Sequence, residues 1–334
     1  MNGYDETDLS PLERIRVVDY LFDQAVSIRI RPTDILVVSG FWRSGTTWLQ
    51  QSLSRILKAK TVFEPFHPAA TRKLYRHLLR ERDYAFRENF MPLGGEGPFG
   101  RELERFMGRA LWSRLPTVAT RVLRSGPREA LLRRIVAKFV RGHLCLRQLR
   151  DTFHTPIIHV VRDIRAVVAS IGTTSWSWQF EALSLREQLL EVDDGRAAFF
   201  EPWRAEIIRH DRQDTVARIV AYWALVERFV EEAFPLDERR GIRLVRYEDL
   251  VVDPERCVSE LLKDLGFGAM PTTPSALARD SVTTSRERRG GLSPEERIGG
   301  WTKKVPPSEV ARIAAILDDF GMGDRLWRLG GRSG

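Results

Sequence analysis

Short apolar runs alternate with longer amphipathic stretches along most of the chain. The runs are a few residues long and partly β-branched, which is typical of buried strands. The amphipathic stretches repeat apolar residues three and four positions apart, the spacing of one helix face. The predicted strands are 35–38, 61–63, 157–161 and 242–246, and the predicted helices are 45–58, 127–150, 164–171, 215–234, 254–265 and 306–320.

The alternation of strands and helices predicts the fold class. Parallel strands need a crossover, usually a helix, and such sheets are covered on both faces. We therefore expect an α/β protein of three layers, in which a mostly parallel sheet is flanked by helices. No linker composition divides the 334 residues, so we expect a single domain.

The charge balance narrows the choice of ligand. The chain has 53 basic and 45 acidic residues, a net charge of +8 that favours anionic ligands. Many of the cations lie between Arg124 and Arg150, where aromatic residues are not interleaved with them. A nucleic-acid groove usually needs both kinds of residue, so we do not expect a nucleic-acid partner.

The N-terminal sequence and the cysteine content indicate the cellular compartment. The acidic N-terminus lacks the basic start and apolar centre of a signal peptide, and the apolar runs are too short to span a bilayer. The two cysteines, Cys145 and Cys257, have no metal-ligand spacing. We expect a cytoplasmic protein without a transmembrane segment and without a metal.

A phosphate loop follows the first predicted strand. The segment from Val38 to Leu49 reads VSGFWRSGTTWL, and Gly40 and Gly45 have the spacing of a nucleotide P-loop. Thr46 stands where ATPases have the lysine that reaches the β- and γ-phosphates. The loop is thus suited to a single phosphate, with a positive charge supplied by Arg43.

A second strand-to-helix junction carries another anion motif. Arg162 ends the strand 157–161, and Ser170 follows two helical turns into the next helix. An arginine fork at this position suits a phosphate that lies across the sheet edge. Asp163 is expected to cap the helix that begins at Ile164.

The first loop resembles the 5'-phosphosulfate loop of sulfotransferases that use 3'-phosphoadenosine 5'-phosphosulfate (PAPS), and the second resembles their 3'-phosphate motif. The resemblance implies a P-loop-NTPase-like fold, PAPS as co-substrate, its product 3',5'-diphosphoadenosine (PAP), and no metal. It implies a domain with an N-terminal extension (1–33), a catalytic core (34–303), and a C-terminal helix and tail (304–334). The implied donor-binding residues are Arg43, Ser44, Gly45, Thr46, Thr47, Trp48, Arg162 and Ser170, with Arg43 on the sulfuryl group and Trp48 on the adenine.

A late loop, 271–304, is rich in arginine and glycine and ends near Trp301. Several members of the family place such a loop over the 3'-phosphate. The spacing here departs from theirs, so Arg288 and Arg289 are candidates without a choice between them.

The catalytic base has two candidates behind the second predicted strand. Glu64 belongs to a Phe-Glu-Pro segment similar to one in carbohydrate sulfotransferases, and it should emerge at the carboxyl edge of the sheet. His67 follows closely and titrates near neutrality. Arg43 is the candidate for stabilising the leaving phosphate.

Other functions stay open at this stage. A P-loop kinase or related NTPase would use a similar loop, although the lysine is missing, and a non-catalytic nucleotide-binding protein would share the phosphate motifs. The expected acceptor is a hydroxyl, or an amine, of a glycan, a glycolipid or a small metabolite.

Overall fold

The computed structural model describes residues 17–67, 97–115, 119–124, 127–174, 180, 184–192, 195–235, 239–268, 274–277 and 292–323. The strands are β1 (Ile35–Gly40), β2 (Lys60–Phe63), β3 (Ile135–Phe139), β4 (Ile157–Val161) and β5 (Ile242–Arg246). The helices before β4 are α1 (Val17–Ser27), α2 (Thr46–Leu57), α3 (Gly97–Leu111) and α4 (Leu146–Phe153). Those after β4 are α5 (Ile164–Ile171), α6 (Leu185–Leu189), α7 (Gly195–Phe200), α8 (Arg204–Asp211), α9 (Thr215–Ala233), α10 (Tyr247–Val252), α11 (Pro254–Asp264), α12 (Pro274–Leu277), α13 (Pro294–Gly299) and α14 (Pro307–Asp319).

The five strands form one parallel sheet in the order β2-β3-β1-β4-β5. Strand β1 lies at the centre, between β3 and β4, and all six of its residues are buried. A strand that is covered on both faces reads as a continuous apolar run. The predicted fold class, a mostly parallel sheet flanked by helices, is confirmed.

Alternate residues of β1 point into two separate apolar layers. Ile35 and Val37 pack in the layer that contains α9 and α14, whereas Leu36 and Val38 pack in the layer that contains α2 and α11. Side chains of a strand alternate between the two faces of its sheet, so this division follows directly from strand geometry. The three predicted layers are therefore present.

The predicted helix over 127–150 is wrong. The stretch forms the short helical turn Pro127–Leu131, strand β3, the turn His143–Cys145 and the start of α4. Its apolar residues fit a helical period, but β3 is buried on both faces and therefore lacks the alternation that reveals a half-exposed strand. The loop predicted over 271–304 is also wrong in part, because the stretch contains the short helices α12 and α13.

The carboxyl ends of the parallel strands meet at one edge of the sheet, where α/β proteins bind their ligands. The loops after β1, β2, β3, β4 and β5 all begin there. Within the described ranges, no helix has the length and apolarity needed to cross a membrane.

Candidate active site

The loop between β1 and α2 has the backbone shape of an anion cradle. Gly45 lies in the left-handed region at φ 83°, directly before Thr46, the first residue of α2. The first turn of a helix leaves backbone N–H groups without intrahelical partners, and these groups attract anions together with the helix dipole. Gly40 ends β1, and a Cβ at that position would lie 2.5 Å from the carbonyl oxygen of Val160. The path of the loop therefore requires glycine at both positions.

Arg43 connects the loop to the second motif. Its backbone is also left-handed, at φ 66°, and strain of this kind in a residue with a side chain is concentrated at functional sites. Arg43 Nε donates a hydrogen bond of 2.9 Å to Ser170 Oγ on α5. Arg162 Nη1 donates a hydrogen bond of 2.6 Å to the carbonyl oxygen of Arg43. The residues of the two sequence motifs are thus in direct contact.

Asp163 fixes the start of α5 as its sequence position predicts. Its carboxylate accepts a hydrogen bond from the backbone N–H of Arg165 at 2.9 Å, which caps the helix. The guanidinium of Arg165 pairs with the same carboxylate at 2.6 Å. This arrangement positions Arg162, which directly precedes the cap.

Tyr247, which the sequence indicates only as a structural residue of a strand-to-helix turn, lies at this site. It begins α10 at the carboxyl end of β5, and its ring covers the loop so closely that a Cβ on Gly45 would lie 2.5 Å from it. The guanidinium carbon of Arg162 lies 4.2 Å from the centre of the ring, a cation–π contact. The position of Tyr247 at a strand's carboxyl end was the available signal.

Trp48 lies half-buried in the first turn of α2. Its indole Nε1 donates a hydrogen bond of 3.2 Å to the carbonyl oxygen of Leu277 in α12, and its ring packs against the apolar layer that holds α2. Ser44, Thr46 and Thr47 are buried in the loop and the first turn of α2.

Glu64 lies behind β2 in a buried, cationic setting. Its side chain is only 4% exposed, and its backbone is left-handed at φ 41°. Its Oε1 lies 3.0 Å from Lys138 Nζ, and its Oε2 lies 3.9 Å from Arg141 Nη1. The Oε2 atom also accepts a hydrogen bond of 3.2 Å from the backbone N–H of Val140. A buried carboxylate needs such compensation, and β3 with its following turn supplies it.

Lys138 joins this carboxylate to the phosphate loop. Its Nζ donates a hydrogen bond of 2.7 Å to Thr47 Oγ1 and lies 4.3 Å from the centre of the Phe63 ring. Burial lowers the pKa of Lys138, while the charge of Glu64 opposes that effect. Lys138 and Arg141 could not be proposed as site residues from the sequence, because the strand that carries Lys138 was predicted to be a helix.

His67 is half-buried and follows the turn after β2. Its backbone N–H donates to the carbonyl oxygen of Glu64 at 2.9 Å, so the two candidate bases share one turn. Arg288 and Arg289 lie outside the described residues.

A buried histidine, His143, lies under the loop and was not proposed from the sequence. Its ring centre is 5.9 Å from that of Trp42 and 6.4 Å from that of Phe41. Burial, and to a smaller degree the neighbouring His159, lowers the pKa of His143 to about 3, despite a hydrogen bond with the Gly40 backbone. His143 is therefore neutral near pH 7 and supports the loop as a packed ring.

The described part of the chain holds no group of three or more histidine, cysteine, aspartate or glutamate side chains arranged to hold a metal ion. Four basic side chains lie among the described residues of the candidate site. They are Arg43, Lys138, Arg141 and Arg162.

Comparisons with known proteins gave one family match and several similar solved structures. A family model described as "Sulfotransferase domain" matches residues 32–283. A sulfotransferase from Alicyclobacillus acidocaldarius is 16% identical, with 88% of this chain and 95% of that chain covered and a TM-score of 0.42. Mouse sulfotransferase SULT7A1 complexed with PAP is 14% identical, with 93% of each chain covered and a TM-score of 0.42. Retinol dehydratase in a complex with retinol and PAP is 17% identical, with 90% of this chain and 74% of that chain covered and a TM-score of 0.31.

A search among curated proteins gave no match. The family model spans more than half of the chain, and it includes both phosphate motifs, Glu64 and Lys138. The chain therefore belongs to the sulfotransferase domain family and is a sulfotransferase.

Proposed function

We propose that the protein transfers a sulfuryl group from PAPS to a hydroxyl or amine of its acceptor. The observation that carries the proposal is the contact between the two phosphate motifs through Arg43, Ser170 and Arg162. PAPS has phosphate groups at two separate positions, and two anion sites at one sheet edge match that pattern. The 5'-phosphosulfate then lies at the loop and the 3'-phosphate lies at Arg162 and Ser170.

The reaction needs a charge-stabilising group and a base. The acceptor oxygen or nitrogen attacks sulfur, and its bond to sulfur forms while the bond from sulfur to the bridging oxygen breaks. The electron pair stays on the 5'-phosphate of PAP, where Arg43 stabilises the developing negative charge. Glu64 takes the proton that the acceptor loses.

Glu64 is favoured over His67 by its surroundings. Its carboxylate lies 3.0 Å from the lysine that holds Thr47, so it is tied to the donor loop, whereas His67 lies farther along the same turn. The left-handed backbone of Glu64 adds a second indication, because strain is retained where function requires it.

The chemistry of the acceptor follows from its place beside Glu64. An acceptor that loses a proton during the reaction is a hydroxyl or an amine, as in a glycan, a glycolipid or a small metabolite.

Calorimetry with PAP, and with magnesium-ATP as a control, tests the donor. We expect PAP to bind and magnesium-ATP not to bind, because Thr46 replaces the lysine that a triphosphate needs. A preference for magnesium-ATP would place the protein among the phosphoryl transferases. A protein that binds PAP but transfers no label from radiolabelled PAPS to any of a panel of glycans, glycolipids and phenols would be a binding protein.

Glu64→Gln and His67→Asn distinguish the two bases once an acceptor is found. Loss of a general base typically lowers the rate about 10²- to 10⁴-fold. We expect this loss in kcat for Glu64→Gln, with PAP affinity retained, and a much smaller change for His67→Asn. The opposite ranking would move the role of base to His67.

A further inference from the structure

Lys138 lies between the donor loop and the proposed base. The ammonium nitrogen of Lys138 donates a hydrogen bond of 2.7 Å to Thr47 Oγ1 and lies 3.0 Å from Glu64 Oε1. An ammonium has three N–H donors and carries one charge, so these partners share the same cation.

Water screens this group of side chains very little. Lys138 is 5% exposed, Glu64 is 3% exposed and Thr47 is 7% exposed. Charges that are removed from water interact more strongly than charges on the surface. A change of charge near Thr47 should therefore affect the carboxylate of Glu64.

An anion bound by Thr47 would be close to the ammonium of Lys138, because that ammonium is within hydrogen-bond distance of the threonine oxygen. The anion would then share the positive charge that compensates Glu64 in the free protein. A nearby negative charge makes it harder for a carboxyl group to remain ionised. The proton affinity of Glu64 would rise when the donor is in place.

Other polar and charged groups also contact Lys138 and Glu64 or act on their charges. Arg141 Nη1 is 3.9 Å from Glu64 Oε2, whereas Lys138 is paired with Oε1. The positive charge of Arg43, in the phosphate loop, helps burial to lower the pKa of Lys138. Val140 N–H holds Oε2 from the turn after β3. Arg141 and Val140 continue to hold the carboxylate in position while the charge of Lys138 is shared with the donor.

We propose that Lys138 is a positioning residue that couples binding of the donor at Thr47 to the ability of Glu64 to accept a proton. The inference rests on the proposed function, in which Glu64 is the base. In the free protein the carboxylate is held in an ion pair with Lys138. With the donor bound it becomes a stronger base, so the donor must bind before the acceptor can react.

Proton-linked calorimetry tests this coupling without an acceptor. PAP is titrated into the full-length protein in buffers of different ionisation enthalpy, at several pH values between about 5 and 8. The measurement gives the number of protons taken up for each PAP bound. We expect the wild type to take up more protons than Glu64→Gln, and Lys138→Met to lose most of that difference.

Two further variants guard against misfolding and charge effects. The double variant Lys138→Met with Glu64→Gln removes both buried charges together, so it leaves no unpaired ion in the site. It should fold and take up as few protons as Glu64→Gln. Lys263→Met removes one exposed lysine from the end of α11 and should behave as the wild type does.

The outcomes separate the inference from the proposed function. Equal proton uptake in the wild type and in Glu64→Gln, with PAP still bound, would overturn the coupling and leave the sulfotransferase proposal standing. Uptake that depends on Glu64 but is unchanged in Lys138→Met would also overturn it. A wild type that does not bind PAP would overturn both.

Discussion

Arg43 and Ser170 are joined by a hydrogen bond of 2.9 Å between Nε and Oγ, although 127 positions separate them in the sequence. The contact exists because β1 and β4 are parallel neighbours, so the loops at their carboxyl ends meet. Arg43 is anchored in this way at the mouth of the phosphate loop.

Ser170→Ala should weaken PAP binding by about tenfold, which corresponds to about 1.4 kcal/mol. The variant removes the hydroxyl that holds Arg43 and that is proposed to contact the 3'-phosphate. Calorimetry with PAP measures the effect. Ser308→Ala, at an exposed position in the first turn of α14, should leave the affinity unchanged. An unaltered affinity in Ser170→Ala would contradict the assignment of this helix to the 3'-phosphate.

Arg162→Ala should weaken PAP binding by about 100-fold, because charge-assisted bonds to a phosphate are strong. The variant also removes the bond to the Arg43 carbonyl and the contact with Tyr247. Arg162→Lys should restore only part of the affinity, since lysine lacks the planar fork.

The control is Arg256→Ala, which removes an exposed arginine and its surface pairs on α11. Surface pairs contribute little, so its PAP affinity and stability should match those of the wild type. A loss of PAP affinity in Arg256→Ala as large as that in Arg162→Ala would indicate a general charge effect and would count against a specific site.

Gly45→Ala tests how closely Tyr247 covers the loop. Gly45 has φ 83°, and a Cβ there would lie 2.5 Å from the Tyr247 ring. Gly266 has the same φ of +83°, but a Cβ there meets nothing within 4 Å. Gly266→Ala should lose about 1 kcal/mol of stability from backbone strain, measured by urea unfolding. Gly45→Ala should lose more, because the Tyr247 ring must also move.

Only Gly45→Ala should also lose PAP binding, because the displaced ring and the altered loop lie in the donor site. Tight PAP binding by Gly45→Ala would show that the loop adapts to the methyl group. A loss of binding in both glycine variants would show that strain anywhere in the fold is sufficient.

The sequence was sufficient to predict the strand-to-helix junctions that carry the candidate site, because each junction lies in one continuous segment. The loop from Gly40 to Trp48 and the junction at Arg162 have local signals, because glycine positions and a strand-to-helix change are visible in the sequence itself. The sheet was predictable for the same reason, since four of its strands carry short apolar runs between breaks.

The missing parts of the site depend on which strands are neighbours. Lys138 contacts Thr47 and Glu64 because β3 lies between β1 and β2, and that order cannot be read from periodicity. The apolar residues around β3 also fit a helix, which hid the strand. Tyr247 lies on the loop because β5 is next to β4, a relationship of the same kind.

The opposite edge of the sheet holds a different buried charge cluster, which gives a stability prediction. The Asp23 carboxylate of α1 lies 2.8 Å from Lys60, 2.9 Å from Arg121 and 2.8 Å from Arg124. Asp23→Asn leaves buried cations without compensation. It should lower the free energy of unfolding by about 3–5 kcal/mol near pH 7, measured by urea unfolding.

The penalty of Asp23→Asn should shrink in acid. Burial raises the pKa of Asp23, but the charges of Arg124, Lys60 and Arg121 outweigh burial and hold it below its usual 3.8. A carboxyl group whose pKa is lower in the folded state stabilises the protein above its unfolded pKa and loses that contribution as the pH falls through the folded value. The unfolding free energies of the wild type and the variant should therefore converge below about pH 3.8. Asp264→Asn, at a half-exposed pair with Arg243, should show almost no penalty at any pH. A penalty for Asp23→Asn that stays constant into acid would mean that packing of α1, rather than the charge of Asp23, holds this edge together.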